Sequence, residues 1–224
     1  MISIGFSIGH DRGAVLIRDG EVVVGISRER LSRIKSDESF QNEMIPVDCI
    51  DYCLQSVGLT YDAVDIYCYN STMVEDIEDR FVELLNQPLE KLYFIPHHLA
   101  HAYSTYYSSP FQSSVVVVAD AMGSVATKDS KTWEWFSKGY NLTDTSEEEY
   151  DWAEGITIYD VSNNHFNEVY KKWIKFEFPW EVEGEQTSVG GYYGIGTLQL
   201  VYNPITNTWQ AGKLMGLASY AESE

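Results

Sequence analysis

The chain has 224 residues, 44% of them hydrophobic and 22% charged, and a formal net charge of −19. Its length and composition are ordinary for a globular protein of one large or two small domains that buries a real core. The negative charge argues against nucleic acid or an anionic membrane surface as the main partner, and no apolar run approaches the roughly 20 residues that a membrane-spanning helix needs.

The first part of the chain predicts three antiparallel strands. We expect them at 2–8, 14–17 and 21–27, with a hairpin turn at Asp19-Gly20. The turn G-H-D-R-G at 9–13 has backbone N–H groups that can face an anion, although its spacing is equally typical of an ordinary hairpin. The N-terminus M-I-S-I-G-F has no basic segment and no cleavage site, so it does not look like a signal peptide.

A basic stretch, R-E-R-L-S-R-I-K, runs from Arg28 to Lys35 and is dense for a chain with only 15 basic residues. Guanidinium groups suit phosphate and carboxylate oxygens, so the stretch indicates an anion-binding cluster. A solvated, charged loop is the alternative. The high local density of basic residues favours the anion-binding cluster.

The middle of the chain predicts alternating helices and strands. Apolar residues at helical spacing indicate a helix at 45–57 that stops at Gly58, and an amphipathic helix is expected at 73–85. Short strands are expected at 64–69 and 92–95, so residues 45–120 predict an α/β lobe with parallel strands. The three cysteines, at 49, 53 and 68, lack a C-x-x-C pattern and predict reduced core residues of a cytoplasmic protein.

The stretch from Tyr93 to Gly123 carries the strongest chemical signal. Pro96 can open a helix, which places His97 and His101 four residues apart on one helical face. The apolar run at 115–118 predicts a strand buried on both faces that ends at Asp120, where open α/β sheets place ligand chemistry.

Two imidazoles on one helix and a carboxylate at a neighbouring strand end would provide three ligands of a divalent metal. Histidines near a helix start also serve as capping groups or hydrogen-bonded core residues, and that alternative stays open here. Iron, zinc and manganese all accept this combination of donors.

After Gly123 the pattern is weaker. Residues 131–160 predict two or three strands interrupted by an acidic insert at 146–151, and residues 170–180 suit either a helix or a strand. The glycines at 190, 191, 194 and 196 fit neither a dinucleotide fingerprint nor a P-loop, so they indicate tight turns.

Five segments in series resemble the carbamoyltransferase family that includes the nodulation-factor and antibiotic O-carbamoyltransferases. They are the opening G-H-D-R-G-A-V-L-I, the basic R-E-R-L-S-R-I-K, P-H-H-L-A-H-A with its H-H-x-x-H-A pattern, V-A-D-A-M-G, and G-K-L-M-G-L-A-S-Y. Ala121 and Ala221 depart from the family by replacing glycines. The segments cover the chain from residue 5 to about residue 220 in the family's order.

The resemblance implies an actin-like, ribonuclease H-like α/β fold of the ATPase class, similar to the tRNA threonylcarbamoyl transferases. It implies a first lobe at 1–120 and, at 121–224, a β-rich continuation toward a second lobe. Members of the family are longer, so we expect a fragment or one half of a split enzyme, which a separate second-lobe chain would complete.

The resemblance also implies a reaction. Carbamoyl phosphate and ATP would give carbamoyl adenylate, and the carbamoyl group would pass to a hydroxyl of a small molecule. A divalent metal, with iron favoured, would lie between His97, His101 and Asp120.

Other motif positions imply roles around the carbamoyl group. His10 and Lys35 would act in catalysis, Arg30 and Arg33 would bind phosphate, and His98 could serve as a base toward the hydroxyl. Two alternatives are a binding module that keeps the fold without the chemistry, and another enzyme of the same ATPase class such as a sugar kinase.

Overall fold

The structure, a computed structural model, describes residues 1–9, 11–34, 44–72, 77–126 and 151–176. Residues Met1–Ala100 form one compact unit, and a second unit begins at His101. The division falls inside the helix His97–Tyr107, and the lobe boundary expected after residue 120 stays a prediction. Among the described residues, no helix has the length and apolar character needed to span a bilayer.

The first unit is built on a five-stranded mixed sheet. Its strands are β1 (Ile2–Ser7), β2 (Gly13–Arg18), β3 (Glu21–Ser27), β4 (Ile66–Asn70) and β5 (Leu92–Phe94). The spatial order is β3-β2-β1-β4-β5. The strand β2 runs antiparallel to both β1 and β3, while β4 lies parallel to β1 and β5 parallel to β4. This confirms the predicted mixed sheet of three antiparallel strands followed by parallel ones.

Within the part of the chain that the structure describes, three α-helices lie between these strands: α1 (Arg28–Ser32), α2 (Val47–Ser56) and α3 (Glu78–Leu85). A fourth, α4 (His97–Tyr107), follows β5. The helix predicted at 45–57 is confirmed in α2, and Gly58, with φ of 69°, follows it as the expected stop. The predicted helix at 73–85 is shorter in the structure, where α3 begins at Glu78 and residues 73–76 lie outside the described part.

The core of the first unit lies between α2, α3 and one face of the sheet. Buried residues alternate with less buried ones along β1, β2 and β4, and α2 buries residues on one helical face. The apolar face of the sheet and the apolar face of the helix therefore contribute to the same core. Cys49 and Cys53 are buried in this core and Cys68 is half-buried, all three as free thiols. The fully buried residues of the core are Ile4, Leu16, Ile45, Cys49, Ile50, Cys53, Val64, Tyr67, Ile77 and Phe81.

The second unit contains an antiparallel sheet. Its described strands are β6 (Ser113–Ala119), β7 (Val125–Ala126), β8 (Asp151–Ser162) and β9 (His165–Phe176). The long strand β8 pairs with the other three. Asn163 and Asn164 join β8 to β9 with φ of 51° and 60°, the left-handed conformation that a two-residue hairpin favours. Residues 170–176 are therefore strand, which removes the helix alternative for that part.

The prediction that residues 115–118 form a strand buried on both faces is wrong. Val116 and Val118 are 6% and 7% exposed, whereas Val115 and Val117 are 66% and 60% exposed. The strand β6 lies in the antiparallel second sheet, where alternate side chains point to opposite faces. A continuous valine run specifies a strand but not how many of its faces are covered.

Candidate metal centre

The helix α4 places two imidazoles on one face. The helix begins at His97, directly after Pro96, and the Pro96 carbonyl accepts a hydrogen bond from the Ala100 N–H at 2.9 Å. Proline fits this place because a residue at a helix start needs no N–H partner inside the helix. His97 and His101 therefore follow one another at one helical turn, as the sequence predicts.

The carboxylate reaches the site from a strand end. The strand β6 ends at Ala119, and Asp120 is the next residue, as predicted. One of its carboxylate oxygens, Oδ1, accepts the N–H of Ala121 at 2.7 Å. The other, Oδ2, lies 3.4 Å from Nε2 of His101. The backbone bond orients the carboxylate so that its second oxygen faces the helix.

His97, His101 and Asp120 together form a group that could hold a cation. Each offers one ligand atom, and these atoms lie within 4.8 Å of one another. None of the three side chains is fully buried, so the site is accessible to ions in solution. Two imidazole nitrogens and one carboxylate oxygen suit iron, zinc or manganese and leave positions for other ligands.

The environment of His101 favours its charged form. The hydrogen bond that His101 donates to Asp120 raises the pKa of His101 above its usual value, and the negative charges of Asp120 and Glu154 act in the same direction. Partial burial of the imidazole opposes them. A proton bound to Nε2 of His101 would take the position of a metal, so acid and metal compete for this nitrogen.

A buried ion pair in the same unit was not predicted from the sequence. Glu154 is 0% exposed, and one of its carboxylate oxygens, Oε1, accepts from Nζ of Lys171 at 2.9 Å. The side chain of Lys171 is 3% exposed and also lies 2.7 Å from a carboxylate oxygen of Glu168. The only sequence signal is a glutamate next to Gly155 inside an otherwise apolar strand pattern, which is too weak to assign a partner.

The predicted phosphate-binding arginines lie on an exposed helix. The Arg30 side chain is 69% exposed, with Glu29 at 3.7 Å, and Arg33 ends α1 in the left-handed conformation. The buried member of the basic stretch is Arg28, whose guanidinium contacts Asp48 at 3.3 Å. The structure therefore divides the cluster into one inward arginine and two outward ones.

The structure describes only one of the three predicted catalytic residues, His98. His10 and Lys35 lie outside the described residues, as does the segment G-K-L-M-G-L-A-S-Y. His98 is 0% exposed. Full burial favours a packing role for His98 over direct contact with an acceptor hydroxyl.

Two curated relatives share sequence with much of the chain. The nodulation protein NolNO of Sinorhizobium fredii is 30% identical over 143 residues, which is 53% of this chain and 20% of that protein. An uncharacterized protein of Synechocystis, sll1178, is 29% identical over 173 residues, 60% of this chain and 27% of that protein. The matched part of the chain thus spans between a fifth and a third of these relatives.

Solved structures with a similar arrangement include two from Pseudomonas aeruginosa. One is an uncharacterized protein with similarity to the peptidase YeaZ, with a TM-score of 0.43 and 8% identity over 80% of this chain and 70% of that one. The other is YeaZ, with a TM-score of 0.41 and 8% identity over 81% of this chain and 71% of that one.

The family comparison covers nearly the whole chain. The family described as carbamoyltransferase N-terminus matches residues 3–83 and 68–224. That range includes the G-H-D segment, the basic stretch, the α4 histidines and Asp120. The chain therefore belongs to the carbamoyltransferase N-terminus family.

Proposed function

We propose that this chain is the metal-binding N-terminal part of an O-carbamoyltransferase. The carbamoyl group would pass from carbamoyl phosphate, through carbamoyl adenylate made with ATP, to a hydroxyl of a small molecule. Family membership supports the class of reaction. The single structural observation that carries the proposal is the convergence of His97, His101 and Asp120.

The donor set of this group fits a divalent metal. His97 and His101 would contribute imidazole nitrogens and Asp120 a carboxylate oxygen, with iron favoured and zinc or manganese as alternatives. Such a cation, when bound, supplies Lewis-acid stabilisation of negative charge. The net charge of −19 makes a local cation electrostatically favourable.

The protein side chains would handle the proton and the anionic leaving group. The hydroxyl oxygen attacks the carbamoyl carbon, a new C–O bond forms, the bond to the adenylate oxygen breaks, and AMP leaves. The hydroxyl proton passes to a base. Because His98 is fully buried, we assign this step to His10 and propose that Lys35, Arg30 and Arg33 hold the anionic groups.

Metal titration tests the centre directly. We expect the wild-type chain to bind Mn²⁺, Zn²⁺ or anaerobic Fe²⁺ in calorimetric titration with one ion per chain. His101→Ala should weaken affinity at least about tenfold, because it removes one of three protein ligands. A double His97→Ala, His101→Ala variant should bind no ion specifically.

The matched control is His165→Ala. His165 is an exposed histidine at the start of β9, outside the candidate centre, so its removal should change affinity less than twofold. Equal binding by the wild type and the double variant would contradict the proposed centre.

Labelled carbamoyl phosphate tests the reaction. We expect ATP-dependent formation of a labelled adenylate, or transfer to a hydroxyl acceptor, in preparations of the longer protein that contains this chain. Metal binding without either product would favour the alternative of a binding module that has kept the fold alone.

A further inference from the structure

A buried carboxylate lies directly opposite the loop that carries the predicted metal ligand. The loop at 120–124 joins β6 to β7, and both of those strands pair with β8. In β8, Ile156 pairs with the last residue of β6, and Ala153 pairs with the first residue of β7. Glu154 lies between these two pairing positions and therefore faces the loop.

Glu154 contacts the loop through three hydrogen bonds. Its carbonyl accepts the N–H of Gly123 at 2.7 Å, and its own N–H donates to the carbonyl of Ser124 at 3.2 Å. Its carboxylate Oε2 accepts the N–H of Ser124 at 3.0 Å. Glu154 and Ser124 are both fully buried, so water does not replace these bonds.

The position of Glu154 is itself fixed by neighbours on β9. Lys171 donates to its other carboxylate oxygen at 2.9 Å and lies 5.4 Å from the ring centroid of Trp173. A side chain on Gly155 would come within 2.7 Å of Ile174, so the backbone after Glu154 packs directly against β9. These contacts with β9 hold the carboxylate in its place opposite the loop.

We propose that Glu154, held by Lys171, is a positioning residue for the Asp120 loop. It fixes the far end of residues 120–124, and thereby keeps the carboxylate of Asp120 directed toward His101. Its functional meaning rests on the proposed metal centre, because a loop held in place matters most if Asp120 binds a cation. Residues that orient metal ligands in this way affect affinity without touching the ion.

The test compares two substitutions, each of which removes the charge of one carboxylate partner of Lys171. Glu154→Gln removes a carboxylate that contacts both the loop and Lys171, yet leaves Lys171 with Glu168 as a partner at 2.7 Å. Glu168→Gln removes the second carboxylate that contacts Lys171, on a side chain that is 38% exposed. A glutamine at 154 cannot offer oxygens to both the Ser124 N–H and the ammonium.

Two readouts separate positioning from general loss of stability. Amide hydrogen exchange on the metal-free protein should be at least about tenfold faster at Gly123 and Ser124 in Glu154→Gln, with Val118 in β6 unchanged. Mn²⁺ affinity should fall about tenfold in the same variant. Glu168→Gln should change both quantities less than twofold.

A double variant keeps the test decisive if Glu154→Gln folds poorly. Glu154→Gln with Lys171→Met removes the buried ammonium together with its partner, so the glutamine oxygen is free to accept from Ser124. Slow exchange at Ser124 and near-wild-type Mn²⁺ affinity should return.

Three results would overturn the inference. They are faster exchange at Val118 to the same extent as at Ser124, equal loss of Mn²⁺ affinity in the two single variants, and unchanged affinity in Glu154→Gln. A wild-type protein that binds no metal would instead refute the proposed centre, while the exchange experiment would still decide whether Glu154 holds the loop.

Discussion

At the scale of single residues, the two carboxylate oxygens of Asp120 make separate contacts. One carboxylate oxygen takes the N–H of Ala121, and the other faces His101. The first bond is local and orients the second oxygen, so the pair with His101 depends on backbone geometry as well as on charge. Ala121, where the family resemblance leads one to expect glycine, still provides the N–H on which this orientation depends.

The proton on His101 gives metal binding a defined pH dependence. Asp120 raises the pKa of His101, so protonation on acidification begins above the usual value of 6.5. Because a metal needs the neutral imidazole, Mn²⁺ affinity should fall as pH decreases through the neutral range, approaching tenfold per pH unit once His101 is protonated. Calorimetry between pH 6 and 8.5 checks this, and a constant affinity over that range would contradict it.

The same raised pKa has the opposite effect on the metal-free protein. The folded state binds the His101 proton more tightly than the unfolded state, so the contact with Asp120 stabilises the fold fully below pH 6.5. That contribution is lost as pH rises through the raised pKa of the folded state. Half-exposure of His101 keeps the effect small.

At the scale of elements, the turn before β2 limits what residue 13 can be. A side chain on Gly13 would place its Cβ 2.8 Å from the carbonyl oxygen of Ile26 on the neighbouring strand. Gly13 pairs with both Ser7 and Ser27, so neither flanking strand can move away without loss of pairing. The glycine at the end of the G-H-D-R-G turn is thus required by strand packing.

Gly13→Ala should lower the free energy of unfolding by about 1–3 kcal/mol, the usual cost of forcing extra volume into a packed position. Gly25→Ala is the matched control in β3, where the added Cβ meets neighbours at 3.5 Å, an ordinary contact distance. Urea denaturation monitored by circular dichroism measures both. Equal destabilisation by the two variants would show that close approach at Gly13 does not decide the effect.

Most elements of the first unit could be predicted, because their signals are local. Period-two strands, the helical spacing around Cys49 and the Asp19-Gly20 turn require no knowledge of distant residues. The His97 and His101 pair was also predictable, since four-residue spacing on a helix fixes their relation. Predicting that Asp120 lies near the two histidines required both the strand end and the family pattern.

The remaining features depend on contacts between distant parts of the chain. The exposure of Val115 and Val117 depends on which sheet β6 joins, and a valine run is compatible with several. Glu154 and Lys171 meet because β8 and β9 pair in a particular register that includes bulges. A bulge shifts which side chains share a face, so no fixed spacing in the sequence predicts this ion pair.

At the scale of the whole molecule, the chain contains two compact units and a candidate centre whose Asp120 and His101 lie in the second. The matched part of the chain spans between a fifth and a third of the length of its curated relatives. The helix α4, which carries His97 and His101, follows directly after β5, the last strand of the first sheet in the chain.

The division between the two units also separates two kinds of spectroscopic and chemical reporter. The three cysteines lie at positions 49, 53 and 68, before the division, and the six tryptophans lie at 133, 135, 152, 173, 180 and 209, after it. Burial raises the pKa of Cys49 to about 12, so its native thiol should react slowly with alkylating reagents. Alkylation rate therefore monitors opening of the first unit, and indole fluorescence monitors the second.

A urea titration followed by both reporters can then resolve the units without any added label. Saturating Mn²⁺, at about 100 times its dissociation constant, should stabilise the state that binds it by about 2.7 kcal/mol. We expect the midpoint of the fluorescence transition to move to a higher urea concentration. A midpoint that is unchanged by the ion would contradict binding at Asp120 and His101.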